Sequence, residues 1–219
     1  MRYEVKRPIE PKERAIDLAL LAYILKGAAP FYGRTKLQKT TFLVEFDLAQ
    51  VGLTGPRFSF FRYNNGPFSR ELWDAYDFLH SQGFTKQADQ PALTDRGNVL
   101  ADYATELRDE ANQKFFARLD ATLENCQRRK GAQLMRAVYR MELAVDHQMM
   151  KIEDIPIGVD LIVPEGPPSL HVPSDVQRLL IEELELTEEK LAKAREQIPA
   201  ALEKLAEVAL LNSERRQSA

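Results

Sequence analysis

Apolar residues recur at three- and four-residue spacing between Lys12 and Lys26, at Ile16, Leu20, Tyr23 and Ile24. That spacing predicts an amphipathic helix. Leu18, Leu21 and Leu25 widen the stripe, so the helix is expected to be buried on more than one side. Gly27 is its stop, and Pro30 belongs to the loop after it. The lead-in before Lys12 reads as extended, because Pro8 and Pro11 disfavour helix. A second helix is predicted from Thr35 to Gln50, with Leu37, Thr41, Val44 and Leu48 on one face and Phe42 and Phe46 broadening it. Gly52 and Gly55-Pro56 make a loop, and the aromatic run Arg57–Tyr63 alternates as a strand does. Asn64-Asn65-Gly66-Pro67 reads as a turn, since Asn and Gly tolerate positive φ. Ser69 is then the N-cap of a helix running to Gln82, with Phe68 and Trp73 at hydrophobic-staple positions. Its buried face is Leu72, Tyr76 and Leu79, and Gly83 stops it.

Phe84–Lys86 and Ala92-Leu93 can pair as a short hairpin, after which Thr94 caps another helix. A helix ending at Gly83, a hairpin, then Leu93-Thr-Asp-Arg-Gly97 is the layout of a winged-helix wing and its following helix. Leu100, Tyr103, Leu107, Ala111, Phe115, Leu119 and Leu123 keep helical spacing to about Cys126, as one or two helices. Gly131 interrupts the pattern, and Leu134, Val138, Met141 and Val145 predict a further helix to about Met149. Five prolines between Asp154 and Pro173 exclude a regular helix there. This stretch reads as a linker or extended arm packing through Ile155, Ile157, Leu161, Ile162 and Val163. Ser174 then caps a charged helix in which Leu184, Leu191, Ile198 and Leu205 repeat every seven residues, with a kink at Pro199.

The fold class expected is mainly α with a small β element. It comprises a winged-helix-like N-terminal domain over 12–110, additional helices packing on it over 111–153, the proline-rich arm 154–173, and a long charged C-terminal helix within 174–219. That last helix offers either packing onto its own domain or a homo-oligomer contact.

Charge changes the picture locally. The formal net charge of −3 provides no global pull toward nucleic acid or anionic membrane. Lys114, Arg118, Arg128, Arg129, Lys130, Arg136 and Arg140, however, stand against only Asp120 and Glu124 within 114–140, a candidate nucleic-acid footprint. Arg34, Lys36 and Lys39 put cations in the first turn of the second helix, where the helix dipole disfavours them by ~0.3–1 kcal/mol each. An acidic partner or phosphate meeting them there is one reading, and solvated surface lysines are the other. Cys126, the single cysteine, excludes an intrachain disulfide and a multi-cysteine metal site and fits a reducing cytoplasm. No apolar run approaches the roughly 18 residues a transmembrane helix needs, so a soluble, cytoplasmic protein is expected.

Candidate chemistry is sparse. There is no Gly-rich phosphate loop, nucleophile elbow or zinc-protease motif. His80, His147 and His171 stand far apart without ligand-spaced partners, and Glu71, Asp74 and Asp77 read as exposed helix acids. No metal, no cofactor and no catalytic group is expected.

Gly33-Arg-Thr-Lys-Leu-Gln-Lys39, Phe58-Ser-Phe60, Tyr63-Asn-Asn-Gly-Pro-Phe-Ser-Arg-Glu-Leu72, then Leu79, Gly83, Leu93-Thr94 and Gly97, taken in order, resemble the YwgA-like and Panacea (SocA-like antitoxin) domains of bacteria and phages. In those families a Lys-Leu-Gln-Lys helix precedes a strand, a Tyr-Gly-Pro turn, a helix and a wing. Here Asn64-Asn65 stand between Tyr63 and Gly66. The resemblance covers residues 12–110 and implies a non-enzymatic antitoxin-like or adaptor-like module that binds a protein partner, a toxin or a defence-complex subunit. The surfaces it points to carry Arg34, Lys36, Gln38, Lys39, Tyr63, Asn65, Phe68 and Arg70. The alternative is a winged-helix DNA-binding regulator. Against it, the Ser69–Gln82 helix holds Glu71, Asp74 and Asp77 with Arg70 as its cation, and three acids would repel phosphate.

Overall fold

Helix α1 (Pro11–Gly27) is apolar on nearly every side, and that decides its place: every residue from Ala15 to Leu25 is buried. Removing side chains such as Leu18, Leu21 and Ile24 from water contributes ~1.5–3 kcal/mol each, so a helix of this composition is driven to the centre. The computed structural model describes residues 10–64, 66–87, 90–145 and 147–185. The chain divides into two units, 1–184 and 185–219, and the elements described here belong to the first. Around α1 pack α2 (Arg34–Ala49), α3 (Arg70–Ser81), α4 (Asp95–Glu106), α5 (Gln113–Gln127) and α7 (Ser174–Glu183). Helix α6 (Gly131–Tyr139) lies against α2. The described residues are thus mainly helical, with seven helices and two small antiparallel sheets.

The larger sheet has strand order β2-β1-β5, from β1 (Phe60–Tyr63), β2 (Gly66–Phe68) and β5 (Asp160–Ile162). Phe61 lies opposite Phe68, and Tyr63 opposite Gly66. On the other edge Phe60 pairs with Ile162, and Arg62 N–H donates to Val159 O at 2.8 Å. The expected strand from Arg57 begins only at Phe60, because Arg57 takes a left-handed backbone (φ 58) that an extended strand cannot use. The turn residues Gly66 to Phe68 in turn form a strand of their own.

Helix α3 starts as its sequence demands. Ser69 Oγ accepts from Leu72 N–H at 3.1 Å, and the Phe68 and Trp73 rings meet at 5.4 Å as a staple. Beyond Gly83, Thr85 bridges Leu93, and Thr94 Oγ1 accepts from Gly97 N–H at 3.1 Å to cap α4.

Three expectations change. The helix to Met149 stops at Tyr139, and β3 (Glu142–Val145) pairs with β4 (Gln148–Lys151) as an antiparallel hairpin. His147 at φ 65 sits in its turn, and Glu142 opposite Lys151 gives it an opposite-charge cross-strand pair. The arm 154–173 buries Ile155 and Val172 but leaves Ile157 and Val163 exposed. Ser174 is the first helical residue of α7 rather than its cap, a place taken by Pro173. The heptad positions Leu191, Ile198 and Leu205, with Pro199, lie outside the described residues.

Candidate functional site

The Lys-Leu-Gln-Lys motif turns inward. From the second turn of α2, Gln38 Nε2 donates to Ser69 O and its Oε1 accepts from Ser69 N–H, both at 2.8 Å. One buried side chain therefore satisfies both backbone groups of the residue that caps α3. Lys39 Nζ donates to Pro67 O at 2.7 Å, and burial, aided by the nearby Arg62 cation, lowers its pKa to about 8. Lys36 Nζ donates to Pro30 O at 2.9 Å and Ala28 O at 3.3 Å, holding the loop between α1 and α2. Two of the three first-turn cations are thus buried on backbone carbonyls rather than displayed to a partner or solvent. Arg34 instead reaches α3, where it pairs with Asp77 at 2.5 Å and lies 5.0 Å from the centroids of both the Trp73 and Tyr76 rings.

Arg62 holds the other side of the elbow. It is buried, donates to Ile152 O at 2.8 Å and to Tyr63 O, and lies over the Tyr139 ring. Tyr139 in turn donates to Asn64 O at 3.2 Å. Gly66, at φ 85, faces Lys39 Nζ and the Tyr139 ring, each 3.5 Å from where a Cβ would stand. The elbow is clamped from α2, α6 and its own strand.

On this mount stands a row of rings. Phe61 meets Phe68 at 5.5 Å and Tyr63 at 6.1 Å, while Phe68 meets Tyr63 at 5.4 Å. Trp73 extends the row through Phe68. Tyr63 is exposed, and Phe61, Phe68 and Trp73 are half-buried. Arg70 flanks them; its Nε and the Trp73 indole Nε1 are buried donors without an acceptor among the described residues. Of the residues the sequence pointed to, the structure brings Tyr63, Phe68, Arg70 and Arg34 to this face and puts Lys36, Gln38 and Lys39 inside. Asn65 lies outside the described residues. Phe61 and Trp73 were missed as site residues, although the Phe61–Phe68 pairing follows once a two-residue turn is placed at Asn64-Asn65.

Behind the elbow lies a buried acidic group that the sequence did not announce. Asp17 and Glu13, one turn apart on α1, both receive Arg57: Nη2 to Asp17 Oδ2 at 2.7 Å and Nη1 to Glu13 Oε2 at 3.1 Å. Burial pushes the Asp17 carboxyl up to about 7 against the pull of the Arg57 guanidinium. Glu45 of α2 accepts from Phe58 N–H at 3.1 Å, and burial pushes it up to about 8. Glu71, expected to be exposed, is half-buried and accepts from Ser59 N–H at 2.7 Å; burial raises its pKa, as it does that of Asp74.

The basic residues of 114–140 are spread along α5, the turn after it and α6. Lys114 donates to Val51 O at 3.5 Å and Arg118 pairs with Asp47 at 3.5 Å, at one end of α5. Arg128, Arg129 and Lys130 stand at the other, ~20 Å away by helix rise. Arg136 and Arg140 sit on and just after α6. His80 Nδ1 lies 3.2 Å from the Thr85 hydroxyl, at the turn between α3 and α4, and His171 Nδ1 lies 3.9 Å from Asp109. Cys126 is buried, which pushes its thiol up to about 11. Among the described residues, no three His, Cys, Asp or Glu stand together as metal ligands, and no helix is long and apolar enough to cross a membrane.

No family model matches the chain. Neither curated proteins nor solved structures give a match. Function is therefore argued from residues and geometry.

Proposed function

We propose that the chain is a non-enzymatic, antitoxin-like or adaptor-like protein-binding module, serving a bacterial toxin–antitoxin or phage-defence system and working in the cytoplasm. The observation that carries the reading is the row Phe61, Tyr63, Phe68 and Trp73, flanked by Arg34 and Arg70 and set on an elbow clamped from behind. Tyr, Trp and Arg are the side chains that dominate binding energy at protein interfaces, and a rigid mount lowers the ordering cost of presenting them. The YwgA-like and Panacea resemblance supports the same reading, and the α3–bridge–α4 layout supports its winged-helix-like part.

A winged-helix DNA-binding regulator is the second reading, favoured by that layout alone. Acids on α3 oppose it: Asp77 is exposed, and Asp74 is half-buried beside it. Duplex binding would fall steeply with added salt, as phosphate contacts require.

The deciding experiment is co-expression with the products of the neighbouring genes, scored by co-purification and by rescue of growth. Tyr63→Ala, at an exposed position, is expected to weaken capture by ~30-fold or more, equivalent to a hot-spot loss of about 2 kcal/mol. Capture and rescue indifferent to Tyr63→Ala would remove this face from the interface.

A further inference from the structure

A cleft of about 280 Å³ opens between the loop after α1 and the turn joining α5 to α6, away from the aromatic row. Tyr32, Lys36, Arg128, Arg129, Lys130 and Gly131 line it, and no acidic residue does. Tyr32 is 82% exposed, the most exposed of the large hydrophobic side chains among the described residues. Its ring makes no aromatic or cation contact among them. Lys36 is fixed in the wall by the carbonyls of Ala28 and Pro30. Arg128 has one carboxylate partner, Glu124 at 3.3 Å, with both side chains largely in water, where such a pair is worth little. Arg129 and Lys130 pair with no carboxylate among the described residues. Four cations around a small concavity, with Glu124 the one carboxylate paired to any of them among the described residues, concentrate positive potential there. Gly131 opens the cleft further, since nothing stands within 4 Å of where its Cβ would be. Its backbone N–H, at the start of the nine-residue α6, can be approached closely.

An open aromatic face beside clustered cations is the combination that holds a nucleotide, the ring stacking a base and the cations taking its phosphate. We propose that this cleft binds one nucleotide unit, with the base on Tyr32 and the phosphate among Arg128, Arg129 and Lys130. Its volume of about 280 Å³ falls just below the ~300–1,000 Å³ usual for ligand sites, which suits one nucleotide and not a larger dinucleotide. A free mononucleotide and one residue of a single strand present the same chemistry.

The test uses the full chain at low salt and fluorescence anisotropy with a labelled short oligodeoxythymidine, competed with unlabelled AMP and with inorganic phosphate. Tyr32→Ala, which touches little of the fold, is expected to weaken binding by about fivefold or more, the least that loss of one stacked base costs. Arg129→Glu is expected to weaken it by about tenfold or more, with a shallower salt dependence. Gly131→Asp suits a helix first turn and leaves the melting temperature unchanged or raised, yet lowers affinity by placing a carboxylate at the phosphate position. Competition by AMP assigns the site to free nucleotide, and strand binding that AMP does not displace assigns it to a strand; either outcome supports the proposal. Absence of binding at low salt overturns it. So does binding that Tyr32→Ala and Arg129→Glu both leave intact, or binding that phosphate displaces as well as AMP and Tyr32→Ala does not change.

Discussion

Gln38 and Arg57 each answer for groups on another element, and their substitution should be felt well beyond their own position. Gln38→Ala leaves Ser69 N–H buried without an acceptor, while Ser69 C=O keeps its place in the first turn of α3, and at ~1–3 kcal/mol for an orphaned group a loss of roughly that size is expected. Urea unfolding measures it, and a loss under 1 kcal/mol would show that the pair is replaced by water. Arg57→Ala takes the donor from Asp17 and Glu13 and lets burial raise the Asp17 carboxyl further, so a loss of ~1–3 kcal/mol is expected at neutral pH and more as pH rises; adding Asp17→Asn should restore part of the alkaline loss. A double variant no more stable than the single would refute the pairing as the cause. The sequence made the positions of Lys36, Gln38 and Lys39 visible but not their direction. A cation-rich first turn reads as surface, and the acceptors that draw those side chains inward are carbonyls of Pro30 and Pro67, which no side-chain pattern records.

At the level of elements, α4 and the bridge before it fit without slack. A Cβ at Gly97 would stand 2.0 Å from Phe84 O, although alanine is the better helix former by about 1 kcal/mol. Gly97→Ala is therefore expected to destabilise by roughly 1–3 kcal/mol, against its propensity, and thermal unfolding checks the sign. Helices α1 and α2 were legible from their period alone, and α3 and the Thr94 cap because period, cap and stop signals agreed. The hairpin after α6 was not: Leu134, Val138, Met141 and Val145 keep helical spacing, while Leu143 and Val145 also alternate with Glu142 and Ala144. The choice between them falls to tertiary contacts such as Ile152 N–H to Met141 O at 2.9 Å. Of the candidate face, the turn and the staple could be read, but joining them into one row of rings required the register of β1 against β2.

For the molecule as a whole, buried titratable groups set a pH dependence with a definite sign. Glu45, at about 8 in the fold, titrates near 4.3 once unfolded, so between those values the native chain keeps a proton that the unfolded chain has lost. Stability should fall as pH rises through that window, with Asp17 acting likewise up to about 7. Above about 8 the unfolded chain holds a proton that the native Lys39 amine has shed, which favours the fold as pH rises, while Cys126, about 11 in the fold and ~8.5 when free, acts in the opposite sense. Urea midpoints should thus fall to about pH 8 and level off there. Glu45→Gln should flatten the acidic limb and Lys39→Met should let the fall continue above pH 8, and profiles unchanged by these variants would put the titration elsewhere.

The pairing of Phe60 with Ile162 also bears on how the protein is made. As the nascent chain leaves the ribosome, β1 waits with one edge bare while the following hundred or so residues are added, ~5–20 s at ordinary rates of translation. During that interval its aromatic segment is a target for chaperones and for other nascent chains, and the sheet closes only once β5 has emerged.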